Sequence, residues 1–223
     1  MLPYFIEVQM KKVIITDVDG VILKWQSMLP FFAQEKGIDL SEILKCQITE
    51  EFIHTKDLFK CTLDRARKLK HEYHNSNWIR HLTAYNDALE VLNSLKDEYI
   101  FIAVTALDNT DTALENRSYN LNVLFPGVFS EIHLTDNDKT GAFTEIIVNQ
   151  SRKGNEIVAY VDDLPDHILT FSKTYRDLTR KDFPFENLFL LARGPRDSFF
   201  GYDTERYKDR KMNNWYEIKE KLL

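Results

Sequence analysis

Two pairs of aspartates each follow an apolar run that is rich in β-branched residues. Asp17 and Asp19 follow Val13-Ile14-Ile15-Thr16, and Asp162 and Asp163 end a later run of the same kind. Carboxylates act as nucleophiles, as general acids and bases, or as ligands of hard cations. Ligands of open α/β sheets bind at the carboxyl ends of the strands, so the four side chains are expected in one site. The alternative is two solvated turns, because Asp is common in turns for conformational reasons.

Groups that can hold an anionic ligand follow other parts of the same pattern. Thr105 and Ala106 end another apolar run and offer a hydroxyl and backbone N–H groups, an arrangement that binds a phosphate oxygen at a helix start. Two carboxylate pairs at neighbouring strand ends repel each other unless a cation lies between them, and Mg²⁺ suits hard oxygen ligands. Lys139 is a candidate for a fixed cation, and Lys153 is its rival. An EF-hand loop is excluded because its further oxygen ligands are missing.

Strands and helices must alternate along the chain to position these residues. Five apolar runs predict strands, at 13–15, 99–104, 131–134, 157–161 and 188–191. Amphipathic stretches predict covering helices, at Asn86 to Leu95, Thr110 to Leu121, Thr144 to Ser151 and Asn213 to Leu222. Continuously apolar strands suit a parallel sheet that is covered on both faces. The sequence therefore predicts a three-layer, doubly wound α/β fold.

A long insertion separates the first two predicted strands. Residues 24–98 are several times longer than one crossover helix needs. One apolar side of the stretch recurs at helical spacing: Phe59, Thr62, Leu63, Ala66, Leu69 and Tyr73. We predict a small α-helical domain at 24–85, inserted into a discontinuous core made of 1–23 and 86–223. Joins of this kind permit hinge motion.

The composition is that of an ordinary globular protein, with 223 residues of which 43% are hydrophobic and 29% charged. The formal net charge of −6 argues against generic nucleic-acid binding, which needs a basic field. Cys46 and Cys61 form neither a metal motif nor a disulfide framework, and no apolar run is long enough to cross a bilayer. These features predict a cytoplasmic protein with no membrane partner.

Together, the singled-out residues resemble the four ordered motifs of the haloacid dehalogenase-like (HAD) phosphohydrolase superfamily, over residues 11 to about 170. The first motif is similar to the segment with Asp17, Asp19 and Val21, the second to Thr105, the third to Lys139, and the fourth to Asp162, Asp163 and Asp166. The resemblance implies a Rossmann-like core and an α-helical C1 cap between the first two motifs. The helical insertion lies at that place.

The resemblance also implies a Mg²⁺-dependent phosphatase that forms an aspartyl-phosphate. Asp17 would be the nucleophile and Asp19 the general acid and base, while Thr105 and Lys139 would hold the phosphoryl oxygens. The ion would be held by Asp17, the Asp19 backbone carbonyl and Asp163, with Asp162 as a second ligand or an orienting group. Asp166 would cap a helix or orient Lys139. Family members that cleave carbon–halogen bonds lack the acid two residues after the nucleophile, so Asp19 favours phosphoryl chemistry.

The predicted cap carries basic and aromatic residues that admit two interpretations. A face opposite the apolar stripe contains Lys56, Lys60, Arg67, Lys68, His71 and His74, with Trp78 just beyond. This face is either solvated, or it binds an anionic substrate such as a nucleotide or a phosphorylated nucleic-acid end, with Trp25, Tyr73 or Trp78 stacking on a base. The fourth motif also resembles the 5′(3′)-deoxyribonucleotidase branch, although that branch's Arg is Leu164 here.

Several alternatives stay open at this point. A phosphotransferase or mutase, or a nucleic-acid-end phosphatase, would use the same fold. From another class, a catalytically idle HAD-like binding module would keep the fold without turnover, although Asp17 and Asp19 are both present. A receiver domain is disfavoured because receivers lack a large insertion after the first strand. Arg193 would reach the edge of the site or pair with a carboxylate, and the oligomeric state is open.

Overall fold

A single parallel sheet organises the chain. The computed structural model describes residues 10–51, 53–191, 193–194 and 210–223. Within these ranges, six strands are ordered β3-β2-β1-β4-β5-β6, and all neighbouring strands are parallel. Their bounds are Lys12–Thr16 for β1, Tyr99–Thr105 for β2, Phe129–Leu134 for β3, Glu156–Asp162 for β4, Leu188–Leu191 for β5 and Lys211–Met212 for β6.

Helices fill the connections between the strands. Four lie between β1 and β2 in the insertion: α1 Leu29–Glu35, α2 Ser41–Thr49, α3 Thr55–Leu58 and α4 Leu63–His74. The others are α5 Asn86–Leu95, α6 Asp111–Leu124, α7 Thr140–Arg152, α8 Pro165–Thr179 and α9 Trp215–Leu222. Short 3₁₀ segments lie at Trp25–Met28, Asn77–His81 and Phe185–Asn187. No helix of the described ranges combines the length and the apolar character needed to cross a membrane.

Two apolar clusters cover the two faces of the sheet. On one face, Phe143 of α7 and Phe171 of α8 pack against Val13, Ile102 and Tyr160 of the strands. On the other face, residues of α5, α6, α9 and the insertion form one continuous cluster with the sheet. This arrangement confirms the predicted three-layer, parallel α/β fold. The sequence analysis missed β6, because a two-residue edge strand that reads Lys-Met carries no apolar run.

The insertion is helical, but two details of its predicted pattern are wrong. The helix predicted from Phe59 begins at Leu63, with Thr62 as its N-cap, because Lys60 adopts a left-handed φ of 48° and interrupts the chain direction. Leu63 is 41% exposed, so the buried stripe of α4 starts at Ala66. His74, expected on the face opposite the apolar stripe, is only 1% exposed.

The two chain segments that enter and leave the insertion pair with each other. The Lys24 N–H donates to the Thr83 carbonyl at 2.8 Å, and the Tyr85 N–H donates to the Ile22 carbonyl at 3.0 Å. This short antiparallel contact lies directly after Asp19, so it fixes where the insertion leaves the sheet. Whether residues 24–85 form a domain that moves against the rest of the chain stays a prediction.

A glycine after β5 allows the chain to approach the end of α2 closely. A Cβ atom at Gly194 would lie 2.6 Å from the carbonyl carbon of Glu50 and would collide with its oxygen. We expect Gly194→Ala to lower the free energy of unfolding by about 1–3 kcal/mol, because backbone must shift to accept the methyl group. Thermal or urea unfolding measures this change.

Gly141 provides the matched control, since among the described residues outside its own helix no heavy atom lies within 4 Å of a Cβ at that position. Gly141→Ala should stabilise the protein by roughly 0.4–1 kcal/mol, by restricting the unfolded chain. Equal effects of the two substitutions would contradict the close approach at Gly194.

Candidate active site

The turn after β1 places the first acidic pair at the carboxyl edge of the sheet. The Asp17 N–H donates to the Val161 carbonyl at 2.8 Å and so continues the pairing with β4. Between Asp17 and Asp19 the chain turns at Val18, whose carbonyl accepts hydrogen bonds from the N–H groups of residues 21–23. Gly20 has a φ of 80°, a left-handed conformation that glycine adopts without strain. Asp17 is thereby buried beside β4, whereas Asp19 stays partly exposed.

Three aspartates converge with one lysine at this edge. Asp17, Asp162 and Asp163 are buried, and each offers an oxygen within 4.8 Å of the others. The Lys139 ammonium lies 2.7 Å from Asp17 Oδ1 and 2.8 Å from Asp162 Oδ2, and its side chain is fully buried. Its rival Lys153 is exposed and pairs with Glu131 instead. The structure therefore brings Lys139, and not Lys153, to the aspartates.

The turn before α7 explains why Lys139 points inward. Asp138 accepts hydrogen bonds from the Thr140 N–H at 2.9 Å and from its hydroxyl at 2.6 Å. These bonds tie the residues on either side of Lys139 together at the surface. The lysine side chain is then directed under the sheet edge, where it is 1% exposed.

Burial and mutual repulsion dominate the electrostatics of the aspartates. Burial is the largest cause that raises the pKa of Asp17, and the charges of Asp162 and Asp163 act in the same direction. Against the attraction of Lys139, they bring this pKa to about 7. Burial opposes ionisation of Asp162 as well, but the charges and hydrogen bonds of Lys139 and His167 together outweigh it and hold the pKa of Asp162 well below its usual range. Burial disfavours the charged form of Lys139, yet Asp162 and Asp17 raise its pKa. A further positive charge would favour the ionised form of Asp17.

Asp162 is held by more partners than the sequence analysis anticipated. Besides Lys139, its oxygens accept from the Leu164 N–H at 2.8 Å, from the Tyr160 hydroxyl, and lie 3.1 Å from His167 Nδ1. Burial lowers the pKa of His167, but Asp162 outweighs this and raises it overall. With both oxygens engaged, Asp162 suits an orienting role better than that of a metal ligand. Asp166 is exposed in the first turn of α8.

Tyr160 and His167 could have been found from the sequence pattern. Tyr160 lies two residues before Asp162 on a strand, so it shares a face with it. His167 lies in the first turn of the helix that Pro165 begins, directly after the acidic pair. Both are near the predicted site in sequence, but neither belongs to a motif.

Asp19 lies on the other side of Asp17, against α6. Arg117 Nη2 is 2.8 Å from Asp19 Oδ1 and 2.7 Å from Oδ2. Thr105 is buried at the end of β2, and its hydroxyl lies 3.5 Å from Asp19 Oδ2, too far for an ordinary hydrogen bond. No sequence signal pointed to Arg117, because a lone arginine within a helix is typical of a solvated surface.

The helix predicted at Thr110 to Leu121 begins close to its predicted start, five residues beyond Thr105. Thr110 caps α6 by accepting from the Ala113 N–H at 3.1 Å, so Ala106 lies in a connecting loop. The prediction of helix-start N–H groups at Ala106 is therefore wrong. The physical reason is that Thr110 is followed by a better helix-forming stretch, whereas the loop before it turns back on itself, with the Leu107 N–H bonded to the Thr105 carbonyl at 3.0 Å.

The proposed substrate-binding residues of the insertion mostly have acidic neighbours. Lys60 pairs with Asp39 at 3.1 Å, and Arg67 pairs with Asp64 at 3.6 Å, while Lys68 is exposed. Trp78 stacks on another aromatic ring and donates its indole N–H to Glu35 at 2.9 Å. These contacts favour the solvated interpretation of the basic face. A role of these residues in substrate binding stays a prediction.

The contacts of Arg193 decide between its two predicted roles, at the edge of the site or in an ion pair. Its guanidinium lies 2.8 and 2.9 Å from the Asp87 carboxylate at the start of α5 and also donates to the Val21 carbonyl. Asp87 in turn accepts from the Trp215 N–H of α9 at 2.7 Å. Arg193 thus pairs with a carboxylate and ties the ends of three segments together.

Comparison with known proteins gives one close relative in sequence. An uncharacterised 32.4 kDa protein from the Gp30–rIII intergenic region of Enterobacteria phage T4 is 38% identical over 214 residues, which are 96% of this chain and 70% of the phage protein. The chain belongs to the family of this phage T4 protein. No protein-family profile matches the sequence.

Solved structures that are similar to this chain have the HAD fold. A haloacid dehalogenase-like family hydrolase from Streptococcus pneumoniae superposes with a TM-score of 0.61 at 13% identity, over 96% of this chain and 99% of its own. The L-2-haloacid dehalogenase PA0810 superposes with a TM-score of 0.55 at 12% identity, over 96% of this chain and 100% of its own. HAD-hydrolase YfnB from Bacillus subtilis, whose structure was solved with bound magnesium, superposes with a TM-score of 0.51 at 13% identity, over 95% of this chain and 98% of its own. The predicted HAD fold is confirmed, whereas the nucleotidase resemblance stays a prediction.

Proposed function

We propose that the protein is a Mg²⁺-dependent phosphomonoester hydrolase that forms an aspartyl-phosphate on Asp17. The observation that carries this proposal is the buried Asp17–Lys139–Asp162 ion-pair chain at the carboxyl ends of β1 and β4. It presents one carboxylate beside a fixed ammonium, and Asp19 lies two residues away in sequence on the side of Thr105. A nucleophile, an acid–base group and donors for anionic oxygens are thus held at one sheet edge.

The residues present fit a bound Mg²⁺ ion. Of the three clustered aspartates, Asp17 and Asp163 offer the hard oxygen atoms that this ion prefers. Counted as ionised, the four site aspartates exceed the two buried cations, Lys139 and Arg117, by two negative charges when His167 is neutral. A divalent cation balances this excess. Asp17 and Asp163, with the Asp19 backbone carbonyl, would hold it, and Asp162 would orient Lys139. When bound, the ion would neutralise charge on the aspartates and on the phosphoryl oxygens.

The proposed reaction proceeds in two displacement steps. The first step requires Asp19 in its protonated form. Asp17 Oδ attacks the phosphorus in line, the P–O bond to the leaving group breaks, and Asp19 gives its proton to the leaving oxygen. Asp19 then takes a proton from water, whose oxygen attacks the phosphorus and returns Asp17 as a carboxylate. Lys139 and the Thr105 hydroxyl donate to the phosphoryl oxygens in both steps. Phosphate and an alcohol are the products, and the enzyme is regenerated.

Asp19 is the residue that favours phosphate esters over organic halides. One of the structural neighbours is an L-2-haloacid dehalogenase, so the fold alone does not decide between these reactions. A halide leaves without needing a proton, whereas an alkoxide leaving group needs one. Asp19, which Arg117 holds beside the nucleophile, can deliver that proton from its protonated form.

The proposed substrate class is a small phosphomonoester, nucleoside monophosphates included. The ion pairs of Lys60 and Arg67 reduce the positive field that would attract a polyanion. A phosphorylated nucleic-acid end is therefore the less favoured substrate.

Release of phosphate tests the proposed activity. The panel contains nucleoside monophosphates, sugar phosphates, phosphoglycolate and a 3′-phosphorylated oligonucleotide, with 2-chloropropionate as the halide. We expect Mg²⁺-dependent phosphate release that EDTA abolishes, and no chloride release. Chloride release would favour a dehalogenase. Complete inactivity would favour an idle binding module, and product formation only with an added alcohol acceptor would favour a phosphotransferase.

Metal binding itself can be measured by thermal unfolding. We expect Mg²⁺ at about 100 times its Kd to stabilise the wild-type protein by roughly 2.7 kcal/mol, because the ion binds only the folded site. Asp163→Asn should remove most of this gain, whereas Asp182→Asn, at an exposed position, should keep it. An equal Mg²⁺ response of both variants would place the ion elsewhere.

A further inference from the structure

Arg117 is a fully buried arginine near the middle of α6. Its side chain is 0% exposed, and Nη2 bonds both oxygens of Asp19. Nε and Nη1 have no hydrogen-bond partner among the residues that the structure describes. Within that part of the chain, the hydrogen bonds of this guanidinium are therefore directed to Asp19.

Stability does not account for an arginine in this environment. Burying a guanidinium with two nitrogen atoms that lack a hydrogen-bond partner is unfavourable, and apolar residues often replace buried ion pairs without loss of stability. The same face of α6 carries buried Ala113 and Leu121, so an apolar side chain would suit position 117. What the arginine provides, and an apolar residue would not, is a fixed contact to the Asp19 carboxylate.

Helix α6 is itself anchored on both sides of Arg117. Asn116 Nδ2 donates to the Ser76 carbonyl at 3.1 Å, and Asn120 Nδ2 donates to the Leu82 carbonyl at 2.9 Å. Thr110 caps the start of the helix. The guanidinium is thus presented from a rigid element, so that it can hold Asp19, which lies on a turn and is partly exposed.

We propose that Arg117 is the positioning residue of Asp19, and this inference rests on the phosphohydrolase function proposed above. The guanidinium holds the Asp19 carboxylate on the Thr105 side of Asp17, where the leaving oxygen of a phosphate ester would meet it. Arg117 acts through Asp19 and does not itself exchange a proton. Arg117 contributes in the transition state, when Asp19 acts as the general acid or base, and not in substrate binding.

A double-mutant cycle on full-length protein separates this role from a structural one. We expect Arg117→Gln to lower kcat about 10²-fold with little change in KM, because a misplaced general acid costs on this order. Asp19→Asn should lower kcat by about 10²–10⁴-fold. The double variant should match Asp19→Asn within about 3-fold, because Arg117 has nothing left to position. Arg117→Lys, which keeps a positive charge, should recover part of the loss.

Arg193→Gln is the matched control, since Arg193 is also a largely buried arginine that bonds both oxygens of an aspartate. It should lower the melting temperature and leave kcat per folded molecule unchanged. A wild-type kcat in Arg117→Gln would overturn the positioning role but not the proposed function. So would a double variant whose fold-loss in kcat equals the product of the two single losses. A wild-type protein that releases no phosphate from any substrate would overturn the proposed function, and this inference with it.

Discussion

Asp17→Asn should abolish phosphate release, with a loss of about 10⁴-fold or more, because the amide cannot form the covalent intermediate. The fold should persist. Asparagine has nearly the same volume, and its amide oxygen can still accept from the Lys139 ammonium that lies 2.7 Å from Asp17. Circular dichroism and the melting temperature check the fold, and a continuous phosphate assay measures the activity.

Asp177→Asn is the matched control for this substitution, because Asp177 is exposed on α8. It should retain wild-type activity. Rapid acid quenching followed by mass spectrometry should find phosphate on the peptide that contains Asp17 in the wild-type protein. Residual activity of Asp17→Asn within 10-fold of wild type, or phosphate on another residue, would exclude Asp17 as the nucleophile.

The strands, and the candidate site residues at their ends, could be predicted from the sequence because both depend on local patterns. Continuous apolar runs predicted β1 to β5, and the helix predicted from Asn86 to Leu95 has those bounds in the structure. The strand ends then brought Asp17, Asp162 and Asp163 together, because parallel strands share one carboxyl edge. Lys139 was predicted from its motif, although only the structure separates it from Lys153.

The parts that could not be predicted depend on contacts between distant segments. Arg117 reaches Asp19 across 98 positions in sequence, and no local pattern distinguishes it from a surface arginine. The basic face of the insertion was judged from helical spacing alone. Its partners Asp39 and Glu35 come from other segments, and the left-handed turn at Lys60 ended the assumed periodicity. The acidic neighbours of that face could therefore not be predicted from helical spacing.

The buried lysine should dominate the stability of the site. We expect Lys139→Met to lower the free energy of unfolding by about 3–5 kcal/mol, because it leaves buried carboxylates without their cation. For a chain of this size, that loss corresponds to a melting temperature lower by roughly 6–20 °C. Phosphate release should also fall, since no ammonium would remain to hold the phosphoryl oxygens. Thermal unfolding without added metal isolates the stability effect.

Lys153→Met provides the control, because Lys153 is an exposed lysine with a surface partner, Glu131. That substitution should change the free energy of unfolding by less than about 0.5 kcal/mol. Adding Asp162→Asn to Lys139→Met should restore part of the lost stability, because it removes one uncompensated carboxylate, and this coupling identifies the pair as the cause. Similar melting temperatures for Lys139→Met and Lys153→Met would show instead that the aspartates tolerate one another without the lysine.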